Sequence, residues 1–163
     1  MIRHQSINDI IWRGLTRAGF PSTKEPSGLS RSDGKRPDGL TLISWQSGRS
    51  LIWDVTVADT LAPSYVSASS TRQGSAAEQA ASRKEAKYAS LSTTYCFVPL
   101  AFETLGPIHD KSLEFLSQLG QRLSVVSGDK RERSFLLQRL SMAIQRFNYV
   151  CFKGSFIEHD VEE

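Results

Sequence analysis

The sequence has too few cysteines and histidines for a disulfide framework or a zinc domain. Cys96 and Cys151 lie far apart in apolar surroundings, and the histidines at positions 4, 109 and 159 show no metal-ligand spacing. We therefore expect a protein of a reducing compartment. The sequence also lacks a Gly-Lys-Ser/Thr phosphate loop and any Ser-His-Asp or Cys-His arrangement, which excludes the common nucleotide-binding and nucleophile motifs.

Long hydrophobic runs are absent as well. No apolar stretch approaches the roughly 18 residues of a membrane span, and the N-terminus has no signal-peptide core. We expect an intracellular protein without membrane contact. The first helical pattern begins almost at Met1 without a leader, which is expected of a segment cut from a longer chain.

What is present fits one domain of ordinary size. The chain has 163 residues, 39% hydrophobic and 23% charged, enough for a packed core. Four of the 17 acids lie at positions 158, 160, 162 and 163, so residues 1–157 carry 13 acids against 20 Lys and Arg, a net charge of +7. We expect a single domain over 1–157 with a disordered acidic tail at 158–163. A basic body favours an anionic partner such as nucleic acid.

Hydrophobic periodicity and turn residues predict a small mixed β-sheet with helices packed on its faces, in the order α-ββ-α-β-α-α, an α/β (α+β mixed) class. Loops are expected at 21–35 and 58–73, where proline, serine and glycine are frequent. The predicted helices are 4–18, 75–91, 110–126 and 131–150. The predicted strands are 40–45 and 51–57, joined by a tight turn at Ser47–Gly48, a buried strand 95–102 that Pro99 places partly at an edge, and a short edge strand 150–156.

Asp54 is the most unusual residue, because it lies inside the apolar strand LIWDVTV. A carboxylate in such a strand needs a cation, a donor or a metal. A hairpin that turns at Ser47–Gly48 pairs Asp38 with Val57 and Asp54 with Thr41, so both acids lie near its open end. A bend at Pro37–Asp38 brings them to a shared Mg²⁺. The alternative is structural: Pro-Asp-Gly is an ordinary turn sequence, and a strand aspartate can accept bonds from Thr or Arg.

Several segments resemble the restriction-like endonuclease domain of non-LTR retrotransposon reverse transcriptase proteins, within the PD-(D/E)XK nuclease-like superfamily. The resemblance covers about residues 1–125. The segments that carry it, in order, are RHQSINDII at 3–11, RPDG…LIWDVTV at 36–57, RKEAKYASL at 83–91 and FVPLAFETLG at 97–106. GSAAEQAASRK at 74–84 is also similar to a segment of reverse-transcriptase-related proteins.

The resemblance implies a metal-dependent DNA endonuclease that uses Mg²⁺ or Mn²⁺. Asp38 and Asp54 would be metal ligands. Lys84 or Lys87 would contact the scissile phosphate or orient water, with Lys87 favoured because Tyr88, which would support the site, follows it. The implied partners are DNA, with RNA or other domains of a parent reverse transcriptase beside it, and the implied location is the nucleus.

Two residues leave alternatives open. Glu103 ends the apolar strand 95–102, where it is either a third metal ligand or a cap for the turn before Gly106. Thr56 stands where the superfamily pattern has a lysine, and it cannot supply a positive charge. Thr56 therefore favours a second reading, a catalytically inactive remnant that binds nucleic acid, whereas the Lys87–Tyr88 pair favours the enzyme. A third reading is an interaction module without a nucleic-acid role.

Overall fold

A four-stranded mixed β-sheet with helices on both faces organises the described residues of the chain. A computed structural model describes residues 2–29 and 36–159. The mixed α/β class expected from the sequence is confirmed. In chain order the elements are α1 (Ile2–Arg17), β1 (Ser22–Lys24), β2 (Gly39–Gln46), β3 (Arg49–Ala58), α2 (Val66–Ser69), α3 (Ser75–Lys87), a short 3₁₀ helix (Ala89–Leu91), β4 (Cys96–Glu103), α4 (Asp110–Ser127) and α5 (Glu132–His159). Within the described part of the chain, no helix is long and apolar enough to cross a membrane.

The strands follow the chain in the order β1-β2-β3-β4. The β1–β2 and β2–β3 pairs are antiparallel, whereas β3 and β4 are parallel and pair continuously from Leu51↔Cys96 to Ala58↔Glu103. The connection between these parallel strands contains α2 and α3. β4 is an edge strand, as Pro99 predicts, because a proline lacks the N–H that an inner strand needs.

The two faces of the sheet are covered differently. On one face, Leu51, Trp53 and Val55 of β3 join Leu100 and Phe102 of β4 in the main core, which α1, α4 and α5 complete. On the other face, α3 packs through alanines: Ala76 and Ala80 lie against Ala58 of β3, while Ala77 and Ala81 lie against Ala101 of β4. Since successive strand side chains alternate between faces, Asp54 and Thr56 point toward α3.

Helix α1 ends where the sequence indicates. Gly19 has φ +90°, a left-handed conformation that glycine adopts without a steric penalty. The N–H of Phe20 donates to the carbonyl of Leu15 and the N–H of Gly19 to that of Thr16, the hydrogen-bond pattern of a Schellman cap. The cap turns the chain toward β1, so the first turns of α1 lie beside the start of β2.

Several boundary predictions are wrong. The predicted loop 21–35 contains β1, whose three residues pair with β2, although residues 30–35 lie outside the described residues. The predicted loop 58–73 contains Ala58 of β3 and the short helix α2. Helix 75–91 ends at Lys87 and continues as the 3₁₀ helix. Such short elements form through tertiary contacts that local composition does not report.

The predicted edge strand 150–156 is also wrong, because α5 continues to His159. No proline interrupts the chain after Phe147, and the Asn148 side chain anchors this part of the helix by donating to the carbonyl of Thr104 at 2.8 Å. Residues 158–159 of the predicted tail therefore belong to α5. The remaining tail residues, 160–163, lie outside the described residues.

Candidate active site

The β2–β3 hairpin does not keep the register that its turn predicts. The turn itself is confirmed at Ser47–Gly48, with φ values of 53° and 69° and the pair Gln46↔Arg49. Two irregularities then shift the pairing to Ser44↔Ser50 and to Gly39↔Trp53. Between the turn and the Gly39↔Trp53 pair, β2 therefore has three more residues than β3. The predicted pairs of Asp38 with Val57 and of Asp54 with Thr41 do not form. Bulges of this kind bend the strand that carries them.

Thr41 stabilises this irregular part of β2. Its hydroxyl accepts a hydrogen bond from the N–H of Leu51 at 2.9 Å and donates one to the carbonyl of Ile43 at 2.8 Å. The side chain thus replaces backbone partners that the shifted strand cannot supply. Because Thr41 is buried, losing the hydroxyl would leave the buried N–H of Leu51 without this acceptor.

The shifted register places Asp38 beside Asp54. The N–H of Asp38 donates to the carbonyl of Trp53 at 3.0 Å, which continues the Gly39↔Trp53 register by one residue. The Asp38 Oδ2 atom accepts the N–H of Val55 at 2.6 Å. Asp38 therefore contacts the backbone of β3 on both sides of Asp54, at Trp53 through its N–H and at Val55 through its carboxylate. No predicted bend is needed to bring the acids together.

Gly39 makes this close approach possible. A Cβ atom at this position would lie 1.9 Å from an atom of the Trp53 ring, a distance that no side chain tolerates. The Trp53 ring itself is fully buried and donates through Nε1 to the Asn8 side chain at 2.7 Å. The packing of Trp53 thus requires the glycine of the Pro-Asp-Gly sequence. This close contact also places Asp38, the residue before it, beside β3.

Lys84 supplies the cation of the site. Its Nζ atom lies 2.7 Å from Asp54 Oδ2, and the Asp54 side chain is only 5% exposed. Lys84 follows Ala77 and Ala81 at helical intervals of four and three, so it continues the stripe of α3 that faces the sheet. The alanines allow α3 to approach the sheet closely, which brings the lysine within reach of a buried carboxylate.

The acid pair titrates as a unit with opposite shifts. Burial, the hydrogen bond with Asp38 and the charge of Asp38 raise the pKa of Asp54 to about 7, against the opposing effect of Lys84. Burial alone would raise the pKa of Asp38, but hydrogen bonds from His4, Asp54 and the Val55 N–H together lower it. Two neighbouring carboxyl groups whose pKa values shift in opposite directions are typical of functional sites and of structural ion pairs alike.

The other predicted site residues lie as follows. Lys87 has its Nζ atom 5.0 Å from the centre of the Tyr88 ring, and that ring is buried against Phe97 at 5.1 Å. The ammonium that contacts Asp54 belongs to Lys84, whereas the sequence favours Lys87. Thr56, the position of the missing lysine, points to the same face of β3 as Asp54.

Glu103 does not join the acid pair. Asp54 pairs with Pro99 and Ala58 pairs with Glu103, so Glu103 lies four residues farther along the sheet, about 13 Å at the usual rise of a strand. It is buried at the N-terminus of α3, where its Oε2 atom lies 3.4 Å from the N–H donor of Ala77. A negative charge stabilises this end of a helix. The Glu103 side chain therefore stabilises α3, while the Glu103 carbonyl accepts the N–H of Gly106 at 3.1 Å and closes the turn, as the sequence alternative predicts.

Sequence reasoning missed His4. Its Nε2 atom lies 2.9 Å from Asp38 Oδ2, and this hydrogen bond and the nearby negative charges raise the pKa of His4 despite its partial burial. The segment RHQSINDII places this histidine in the resemblance, but no spacing within α1 indicates a contact with residue 38. The contact depends on how α1 packs beside the hairpin.

A divalent cation fits the donor set of this site. Among residues 2–29 and 36–159 no group of three or more His, Cys, Asp or Glu side chains is arranged to hold a metal. Mg²⁺, however, is commonly held by one or two carboxylates together with water and phosphate oxygens. Asp38 and Asp54 provide two such carboxylates. Burial, the hydrogen bond with Asp38 and the charge of Asp38 raise the pKa of Asp54, and a bound cation would favour its charged form.

The chain was compared with known proteins at the level of families and of individual sequences. No protein-family model matches it, and no curated protein is significantly similar to it.

Proposed function

We propose that the chain is a metal-dependent DNA endonuclease domain derived from a mobile element, which hydrolyses a phosphodiester bond. The observation that carries the proposal is the meeting of three charged groups: the carboxyl group of Asp38, just before β2, that of Asp54 in β3, and the Lys84 ammonium 2.7 Å from Asp54. Two carboxylates and a lysine are the set that the PD-(D/E)XK pattern uses.

The location of Lys84 supports the proposal despite Thr56. In the strand pattern the lysine would follow Asp54 by two residues, on the same face of β3. Here an ammonium reaches that face from α3 instead. It lies where it can balance negative charge on a phosphate that approaches the two acids, which is electrostatic stabilisation of the kind that accelerates phosphoryl reactions.

The roles follow from the contacts. Asp38 and Asp54 would hold Mg²⁺ or Mn²⁺, which when bound supplies Lewis-acid stabilisation of the phosphoryl oxygens. Lys84 would orient and neutralise the scissile phosphate. Substrate would enter on the side where His4 and Lys84 are partly exposed, at 42% and 27% of their side chains, because Asp54 is nearly enclosed. The proposed partner is DNA and the proposed location the nucleus.

The test is nicking of supercoiled plasmid with Mg²⁺ or Mn²⁺. Asp54→Asn is expected to abolish nicking while DNA affinity stays nearly intact, because the amide cannot act as an anionic ligand. Asp59→Asn is the matched control, an exposed aspartate just beyond β3, and should nick like the parent protein. Equal nicking by the parent and Asp54→Asn, or joint loss of nicking and DNA binding, would contradict the assignment.

The lysines provide a second arm of the same assay. Lys84→Ala should slow nicking by about 100-fold or more, the usual cost of removing one group that stabilises transition-state charge. Lys87→Ala should have a smaller effect. A larger loss in Lys87→Ala would return the role to the lysine that the sequence favours.

One observation favours a second candidate, a catalytically inactive remnant that binds nucleic acid. The ion pair with Lys84 already balances the charge of Asp54, so the buried acid has a structural explanation without any metal. In that case the protein binds DNA in a salt-sensitive way and never nicks it, with either metal.

A further inference from the structure

The amino-terminal half of α1 contacts Asp38 at two points. His4 Nε2 lies 2.9 Å from the Asp38 side-chain atom Oδ2, and Asn8 Nδ2 donates to the Asp38 carbonyl at 3.4 Å. The two residues are four apart, so they project from one face of the helix. One contact fixes the side chain of Asp38 and the other its backbone.

Asn8 also joins α1 to β3. Its Oδ1 atom accepts the indole N–H of Trp53 at 2.7 Å, and both side chains are buried. Ile7 and Ile11 on the same helix are fully buried in the main core. The helix therefore cannot rotate or slide without breaking these contacts, and the position of His4 relative to the hairpin is fixed by the fold.

The Asp38 carboxylate accepts two hydrogen bonds at its Oδ2 atom, and its side chain also has a hydrogen bond with Asp54. Oδ2 accepts both the Val55 N–H at 2.6 Å and the His4 Nε2–H at 2.9 Å. Two donors that approach one oxygen from different elements select a single rotamer of the carboxylate. The direction of Oδ1 then follows from the bonds of Oδ2 together with the hydrogen bond with Asp54.

We propose that His4 is a positioning residue, whose Nε2–H holds the Asp38 carboxylate in the orientation that presents Oδ1 to a divalent cation. This inference rests on the proposed function of the Asp38–Asp54 site. Partners of this kind orient a ligand without contacting the metal, and their loss typically weakens metal binding or activity by about 10- to 100-fold. His4 thereby links α1 to a site otherwise built from the hairpin and α3.

The test is direct titration with Mn²⁺, followed by its electron paramagnetic resonance signal, in the absence of DNA. His4→Ala is expected to bind Mn²⁺ about 10-fold more weakly than the parent, the lower end of the usual range. His4→Gln should restore most of the affinity, because the glutamine amide nitrogen can occupy nearly the position of Nε2. Gln5→Ala, the exposed neighbour on α1, is the matched control and should bind like the parent.

The outcomes separate this inference from the proposed function. If the parent binds Mn²⁺ at a site that Asp54→Asn removes, and His4→Ala binds equally tightly, the role of His4 is refuted while the site stands. Equal weakening in His4→Ala and His4→Gln also refutes it, because the effect then does not depend on the hydrogen bond. If the parent shows no saturable binding that depends on Asp54, the proposed function fails first, and this role of His4 with it.

Discussion

The two faces of the β-sheet use the same strands for different purposes. On the face covered by α1, α4 and α5, β3 and β4 bury large apolar side chains such as Trp53 and Phe102. On the face covered by α3, the same strands present Ala58 and Ala101 to alanines, and they bury Asp54 beside Lys84. The first face has the larger apolar cluster that stabilises the fold, whereas the large apolar side chains of the second include Ile52 and Tyr88, both fully buried.

The comparison shows how a small domain accommodates buried charges. Small residues on α3 bring a helix close to the sheet without a thick apolar layer, and the space that remains near the end of α3 holds an acid pair and an ammonium. Buried charges contribute little to stability in themselves. The larger apolar cluster that can keep them in place lies on the opposite face.

Leu100→Ala should have the largest effect on stability. Leu100 is fully buried on the large-residue face, and its truncation is expected to lower the free energy of unfolding by about 2–5 kcal/mol through lost burial and a cavity. The measurement is urea denaturation followed by tryptophan fluorescence. Leu105→Ala, at a side chain that is 62% exposed, is the control. A cost as small as that of the control would show that this face does not dominate stability.

Ala81→Leu should have a smaller effect on stability and a specific effect on charge. Ala81 lies on the side of α3 that contacts Ala101 of β4, and it is fully buried. A larger side chain should therefore lower the free energy of unfolding by about 1–3 kcal/mol and move α3 outward. Lys84 would then withdraw from Asp54, and the pKa of Asp54, measured by carboxyl NMR, would rise further above about 7. The same substitution at exposed Ala86 is the control. An unchanged pKa in Ala81→Leu would contradict the close-approach argument.

The third prediction is a pH dependence of stability that Asp54→Asn removes. The pKa of Asp54 is about 7 in the folded protein and near 3.8 when unfolded, so the folded state binds the extra proton between these values. This group therefore destabilises the fold progressively as pH rises from about 4 to 7, by at most about 1.4 kcal/mol per pH unit. With chelator present, Asp54→Asn should gain stability relative to the parent across that window. A difference that does not vary with pH would contradict the raised pKa.

Much of the fold could be predicted because its signals are local. The interval pattern of Ile7, Ile11 and Leu15 predicts α1, and all three are fully buried. Ser47–Gly48 predicts the hairpin turn, where both residues have positive φ and Gly48 adopts it without a steric penalty. The register beyond the turn could not be predicted, because the bulges depend on Thr41 and on the packing of Trp53 against Gly39 rather than on strand periodicity.

The candidate site likewise has residues that the local sequence predicts and residues that only tertiary packing brings together. Asp54 is conspicuous because a carboxylate interrupts an apolar strand, and Asp38 is its near neighbour through the hairpin. The choice between Lys84 and Lys87 depends on the rotation of α3 against the sheet, which its alanines determine and which adjacency to Tyr88 does not reveal. His4 contacts Asp38 only because α1 lies beside the hairpin, so the sequence of α1 alone carries no sign of it.

The origin of the ammonium has a consequence for how such a domain can change over evolutionary time. The two acids are inherited together, since one hairpin carries both, whereas the lysine belongs to a separate helix that can be retuned on its own. Under the proposed function, position 56 therefore need not supply a cation. The lysine depends instead on the alanine contact of α3 with the sheet.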